Sequence, residues 1–396
     1  MYDAIIIGAG ISGVSLAFHL AEAQKKVLVL EQSDHVGGCL RSATSSEDDS
    51  FWLEMGAHTS YNSYQAFIEL IEKSQGLTAL NARKKVPYKV LHKNKLAGVT
   101  KPMSWLNAIT AVPNIFFAKK EEKTVAEYYG KILGKKNYQN YFSHVFSAVP
   151  CQPVDEFPAD MLFKKREKRK DILRSFTMKS GLQSVPRSLA HHPNIKLITN
   201  ATVDSISYTG SVVTATLNSG QVFEAQQLAF ATPPDEAQRL MTPHHQALTI
   251  ALAKIPVAKS EAMGVMVKKK DLSIPEVAGI FAPNGSYYSV VSRDVVEDDR
   301  YRGFTFHFKP QHLSDAVKID TICDVLKIRK DHIVHQFKKE NILPSLRLGH
   351  KDIVRTIEQE SKALPIFFTG NYFDGLSIED CALRSKEVAT QMLYQL

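Results

Sequence analysis

Tyr2-Asp3-Ala4-Ile5-Ile6-Ile7-Gly8-Ala9-Gly10-Ile11-Ser12-Gly13 opens the chain, and after one helix-like segment, Val14 to Ala23, comes Val27-Leu28-Val29-Leu30-Glu31-Gln32. The order is strand, glycine turn, helix, strand, acid, which is the order of a dinucleotide-binding unit. Gly8 makes the tight turn, Gly10 admits the backbone to a pyrophosphate, and Gly13 lets helix and strand pack closely. The helix start at Ile11 and Ser12 turns free amides and the positive dipole end toward the phosphates. Glu31 stands 18 residues after Gly13, close to the separation of about 20 at which an acid accepts from ribose hydroxyls.

Three further stretches extend this unit. They are Gly37-Gly38-Cys39-Leu40-Arg41-Ser42, Leu53-Glu54-Met55-Gly56-Ala57-His58, and Phe368-Thr369-Gly370-Asn371-Tyr372-Phe373-Asp374-Gly375-Leu376-Ser377-Ile378-Glu379-Asp380-Cys381. A nicotinamide dehydrogenase needs none of them. Together they resemble the FAD-dependent amine oxidase superfamily, and the pattern is nearest to that of the protoporphyrinogen oxidases. Monoamine and polyamine oxidases usually place arginine directly after the two glycines, where this chain has Cys39. Glu379 stands where the resembled pattern has Asn or Pro.

The resemblance implies an α/β fold in which a Rossmann-like FAD-binding domain is interleaved with an α+β substrate-binding domain. The expected cofactor segments are 1–79, 176–240 and 346–396. The expected insertions are 80–175, helical, and 241–345, built on a sheet. The same resemblance implies FAD contacts from Gly8, Gly10, Ile11, Ser12, Gly13, Glu31, Gln32, Gly38, Leu40, Arg41, Gly56, Ala57, His58, Val203, Thr232, Gly370, Asn371, Ser377 and Ile378. In it, the Val203 backbone meets the adenine, and Gly56-Ala57 turns near the isoalloxazine ring. Arg41 either pairs with a phosphate or holds the glycine loop. His58 lines the substrate side or is a hydrogen-bonded structural histidine.

Ser377 is a natural N-cap, with Asp380 completing a capping box ahead of a helix running to Leu393. That helix start is expected to face the flavin pyrimidine ring. Amides at Ser377 and Ile378 would then stabilise the negative charge that develops when a hydride arrives.

Composition bounds the rest. Of 396 residues, 44% are hydrophobic and 23% charged, ordinary for a globular protein with a large core. The net charge is +8, compatible with anionic substrates or an acidic membrane surface. Four scattered cysteines without a CxxC pair argue against zinc or a disulfide framework and suit a reducing cytoplasm. No metal site is expected. The nucleotide unit begins at residue 2, which leaves no room for a signal peptide. No apolar run approaches the roughly 20 residues that span a bilayer.

Trp105 to Ala118 reads as a core or surface helix broken at Pro113, with a monotopic membrane contact or tunnel wall as the alternative. Lys164 to Lys170 reads as a solvated basic face, with docking to an acidic membrane or partner as the alternative. No aromatic platform accompanies it, so nucleic acid is not an expected partner.

The expected activity is flavin-mediated dehydrogenation of an anionic tetrapyrrole, protoporphyrinogen or coproporphyrinogen, with oxygen or another electron acceptor. Arg347 and Lys101 are the candidates to meet its propionates. No general base stands out. The alternatives are amine oxidation, desaturation or isomerisation of a polyene, and a flavin-binding partner protein without turnover. The expected location is cytoplasmic, with a peripheral membrane contact as the variant.

Overall fold

The structure, a computed structural model, describes residues 1–48 and 50–396. Its first sheet carries the nucleotide unit. Strand β1 (Tyr2–Ile7) lies between β2 (Val27–Leu30) and the long strand Val222–Phe230, parallel to both. Ile195–Ile198 extends the sheet beyond β2, and Ile366–Phe368 also pairs with Val222–Phe230. All these pairings are parallel, and the strands read as nearly unbroken apolar runs because helices cover both faces. The antiparallel strands Val212–Leu217 and Val203–Thr209 close the other edge.

Helix α1 (Ile11–Glu22) is buried around almost its whole circumference. It lies between the sheet and the C-terminal helix Ile378–Gln395, so an all-round apolar sequence is what its environment requires. The opposite sheet face packs against helices Pro234–Met241, Gln246–Ala253 and His350–Ser361.

The second sheet orders as Ile333–Pro344, Val257–Lys268, Tyr301–Phe308, Tyr287–Ser292, Gly279–Phe281, Tyr88–His92 and Lys95–Gly98. Its last two strands come from the segment expected to be helical. They form a tight hairpin around Lys93 and Asn94, whose φ values of 49° and 59° match a two-residue loop with both central residues left-handed. The next part of that segment is helical, with helices Trp105–Ala111 and Val125–Leu133, and residues 148–174 carry no helix or strand. As Pro113 implies, the Trp105 helix ends at Ala111 and continues as one tighter turn, Val112–Phe116. It lies on the surface.

One long-range contact fixes helix α2 (Gln65–Ser74). Tyr64, at its N-cap, supplies no side-chain cap. Instead the buried Glu379 carboxylate accepts from the amides of Ala66 at 3.0 Å and Phe67 at 3.1 Å. The residue that departs from the resembled motif is therefore the cap of a helix more than 300 positions away. Glu379→Ala leaves two buried amides unpaired. It is expected to destabilise the FAD-loaded protein by about 2 kcal/mol, read from the denaturant midpoint, whereas an unchanged midpoint would exclude this capping role.

Candidate cofactor and active site

The carboxyl ends of the parallel strands gather the predicted residues. Gly8 N donates to Leu30 O at 2.7 Å, Ala231 N to Ile7 O at 2.8 Å, and Thr369 N to Phe230 O at 2.8 Å. Thr232 and Gly370 thus flank the first glycine turn, at the crevice where open α/β sheets bind ligands. Glu31 is buried there. Its Oε2 accepts from Ala9 N at 2.7 Å and its Oε1 from Ser33 N at 2.9 Å. Ala201 N donates to Glu31 O at 2.8 Å, which brings the segment before Val203 alongside Glu31 and Gln32. The Val203 carbonyl already accepts from Arg239 Nη2 at 2.6 Å, so an adenine contact there would share that oxygen.

Two glycine loops meet at the cradle. Gly37 N donates to Ala9 O at 2.8 Å. A Cβ on Gly38 would stand 3.1 Å from Gly10 Cα, and Gly38 holds φ at 57°. A Cβ on Gly13 would stand 1.9 Å from Gly8 O, which no side chain survives. Helix α1 has no side-chain cap and no acid in its first turn, so its leading amides point into the crevice without a protein acceptor. The buried Thr232 Oγ1 also lacks a partner. An uncapped helix start, a bare backbone-to-backbone approach and an orphan hydroxyl fit a dinucleotide pyrophosphate.

The second loop is tied down by residues that sequence reading missed. Buried Gln183 accepts from Ser42 N at 3.1 Å and Arg41 Nη1 at 3.2 Å, and donates to Val36 O at 2.7 Å. Arg41 thus contributes one hydrogen bond to the anchoring of the loop. Lys339 reaches from the second sheet to donate to the Gly38 carbonyl. Burial holds its amine below the usual lysine range. Gly56 and Ala57 lie against the same loop, with Ala57 N donating to Cys39 O at 3.1 Å. Asn341 Nδ2 donates to Met55 O at 3.0 Å, while its buried Oδ1 has no partner. These links run between segments far apart in the chain, so no local pattern announces them.

The C-terminal helix presents its capped start to the site. Ser377 Oγ accepts from Asp380 N at 3.1 Å, and Ser377 N donates to Asp380 Oδ2 at 3.2 Å. The capping box thus occupies the Ser377 amide, which corrects the expectation of two free amides and leaves Ile378 as the leading one. The basic run is not simply solvated. Lys164 Nζ lies 3.0 Å and Arg166 Nη2 2.7 Å from Asp380 Oδ1, and Arg166 also donates to Ser377 Oγ at 3.1 Å. Burial alone would raise the Asp380 carboxyl, but Lys164, Ser377 and Arg166 outweigh it and hold it below the usual range.

His58, beside Ala57, lines a cavity of about 20 Å³ with Glu54, Arg83, Arg293 and Thr305. Its Nδ1 sits 3.3 Å from Gly56 O. Burial, aided by Arg83, pushes its pKa down to about 4, so the ring is neutral at physiological pH. His307 is pushed down to about 3 by burial and the nearby His58. Burial raises Glu54 to about 7 even though it accepts from Leu182 N at 2.7 Å and Ser42 Oγ at 2.8 Å. Arg347 Nε lies 3.0 Å from Glu156 Oε2 in an exposed ion pair, and Lys101 is exposed on the helical insertion.

The family model for flavin containing amine oxidoreductases matches residues 11–393. The chain belongs to this family, and its cofactor is FAD. It overlays on a candidate protoporphyrinogen oxidase from Exiguobacterium sp. 255-15 with a TM-score of 0.83 at 15% identity, over 100% of this chain and 99% of that one. A redesigned putrescine oxidase overlays at 0.74 with 16% identity, over 99% of each chain. A UDP-galactopyranose mutase from Mycoplasma genitalium is 37% identical over 70 residues, 18% of this chain and 17% of that protein. The matched stretch thus spans under a fifth of the curated relative. The two overlays establish a common fold.

Glu54 sets a pH dependence. Its folded pKa lies above its unfolded value near 4.5, so its contribution is fully present below that value and fades as pH rises through about 7. The span is on the order of 3 kcal/mol. Wild-type unfolding midpoints are expected to fall between about pH 5 and 8 more steeply than those of Glu54→Gln. Parallel profiles would remove Glu54 as the cause.

Proposed function

We propose that this flavoenzyme dehydrogenates a porphyrinogen, protoporphyrinogen or coproporphyrinogen, as a protoporphyrinogen oxidase-like enzyme of tetrapyrrole biosynthesis. The observation that carries this reading is the Gly370–Cys381 stretch together with Gly37–Ser42, the two motifs nearest to that enzyme type. The full-length overlay on a candidate protoporphyrinogen oxidase supports it at the level of fold.

We further propose the residue roles. The glycine turn Gly8–Gly13 and Gly38 hold the pyrophosphate, with Leu40 and Arg41 closing the loop over it. Glu31 and Gln32 receive the adenosine ribose, and the Val203 backbone meets the adenine. Gly56, Ala57, Thr232, Gly370 and Asn371 frame the ring system. The five chain segments alternate between cofactor and substrate domains at the boundaries given above.

Bound FAD supplies a two-electron hydride acceptor. The protein's part is to orient the ring-bridging carbon of the substrate, exclude water and stabilise charge. Ile378 N, at a helix start reinforced by Lys164 and Arg166, would stabilise the negative charge gained on hydride transfer. A proton leaves a pyrrole nitrogen in the same round, and oxygen or another acceptor takes the electrons. His58, half-buried, and His307, buried, are neutral, so neither brings positive charge to the site. Arg347 and Lys101 remain the candidates to meet substrate carboxylates.

The test is anaerobic addition of porphyrinogens, amines and polyenes, each in turn, to the yellow protein. The reading predicts bleaching of the visible flavin band by a porphyrinogen. Bleaching by amines or polyenes alone would reassign the substrate, and bleaching by none would point to a binding protein without turnover.

A further inference from the structure

Four separate parts of the chain close around the cavity of about 20 Å³ that His58 lines. Trp52 and Glu54 come from the strand Trp52–Glu54, and Thr177 from the strand Ser175–Met178. Arg83 precedes the hairpin of the second sheet, and Arg293 follows the strand Tyr287–Ser292 of that sheet.

The lining carries donors that the protein does not use. Arg293 is 9% exposed and Thr177 1% exposed. Arg83 is half-buried. Among the described residues, Arg83 Nε, Arg293 Nε, Arg293 Nη1 and Thr177 Oγ1 have no hydrogen-bond partner. Buried donors are rarely left unpaired, and an unpaired charged group costs more than a neutral one.

The charges are also unequal. Two guanidinium groups line the cavity with one carboxyl, that of Glu54. Its Oε1 accepts from Leu182 N at 2.7 Å and its Oε2 from Ser42 Oγ at 2.8 Å, so both oxygens are engaged away from the arginines. Lys339 and Arg293 are the cations that act on it, and burial still raises it to about 7. Asp298 Oδ2, 3.6 Å from Arg293 Nη1, offsets that arginine from a second cavity. Asp48 also acts on Arg293 but is paired with Arg300. His58 is neutral. Arg83 is thus opposed within the cavity by Glu54 alone, and by nothing once Glu54 is protonated. A single water would satisfy donors and leave that charge standing; a monovalent anion does both.

Size selects the anion. About 10–15 Å³ holds one water, so a cavity of about 20 Å³ takes one atom-sized guest and excludes carboxylate, phosphate and sulfate. A halide ion is such a guest. Being spherical, it accepts from donors in any direction, and the remaining wall of Leu53, Val291 and Val295 is apolar.

We propose that this cavity is a halide site, filled by chloride, in which Arg83, Arg293 and Thr177 hold the ion and the ion ties the second sheet to the cofactor domain. This goes beyond the proposed reaction and does not depend on it.

Trp52 lines the cavity and reports its guest directly. The chain's other tryptophan is the exposed Trp105, which Trp105→Phe removes. Full-length, FAD-loaded Trp105→Phe protein is titrated with sodium bromide, a heavy-atom quencher, at constant ionic strength set with sodium gluconate. The expected result is saturable quenching of Trp52 that chloride reverses. The unfolding midpoint should be higher in chloride than in gluconate, because the ion binds only the folded state. Arg83→Met, made in the same background, should weaken bromide binding by roughly tenfold or more. Thr177→Val preserves shape and should retain bound FAD while weakening bromide several-fold, so the test stands even if the arginine variant does not fold. Binding should tighten as pH falls from about 8 to about 6, since protonation of Glu54 removes the carboxylate opposing Arg83. Glu54→Gln should abolish that dependence. Quenching that is absent or purely collisional, with equal midpoints in chloride and gluconate, would leave the cavity to water and overturn the proposal. Saturable quenching unchanged by both Arg83→Met and Thr177→Val would place the halide elsewhere and equally overturn it.

Discussion

Everything about the cofactor site depends on two pieces of backbone standing nearly in contact. Gly10 and Gly38 approach so closely that an added Cβ would lie 3.1 Å from the facing Cα. One glycine begins helix α1, and the other lies in a loop that Gln183, Arg41 and Lys339 hold in place. With no side chain between them the two backbones meet directly, beside the start of α1, which has no side-chain cap. A diphosphate placed there, as proposed, would bring its charge to the positive end of that helix.

A second constraint joins the far end of the chain to this trough. The helix Ile378–Gln395 packs along α1, and Ser385 Oγ donates to Ser12 O at 2.8 Å. Its first turn is bound on both sides. Glu379 caps α2, while Asp380 gathers Ser377, Lys164 and Arg166. The start of this helix is therefore rigid before any ligand arrives. A preorganised dipole costs little reorganisation when charge develops nearby.

The nucleotide unit was legible because local rules decide it: an apolar strand, glycines at fixed offsets, and an acid at the end of the next strand. The Ser377–Asp380 capping box was legible for the same reason. The hairpin at residues 88–98 was not, because its turn is Lys93-Asn94 rather than a glycine-containing pair, and its strands are short. In the strand Val222–Phe230, Gln226 and Gln227 interrupt the apolar run. Gln227 is buried all the same, its amide donating to Met392 O at 3.3 Å. Glu379, Gln183, Lys339 and the Lys164–Arg166 pair act across distances in sequence that no periodicity encodes. Arg347 stands in an ion pair with Glu156, and sequence alone does not show such pairings.

The most direct measurement is FAD stoichiometry in purified, folded wild type and Gly38→Val, with circular dichroism to confirm the fold of each. The account predicts about one FAD per wild-type chain and a near-colourless variant, because a branched side chain fills the space over Gly10 and is strained at the left-handed φ. A folded Gly38→Val protein holding FAD as fully and as tightly as wild type would contradict it.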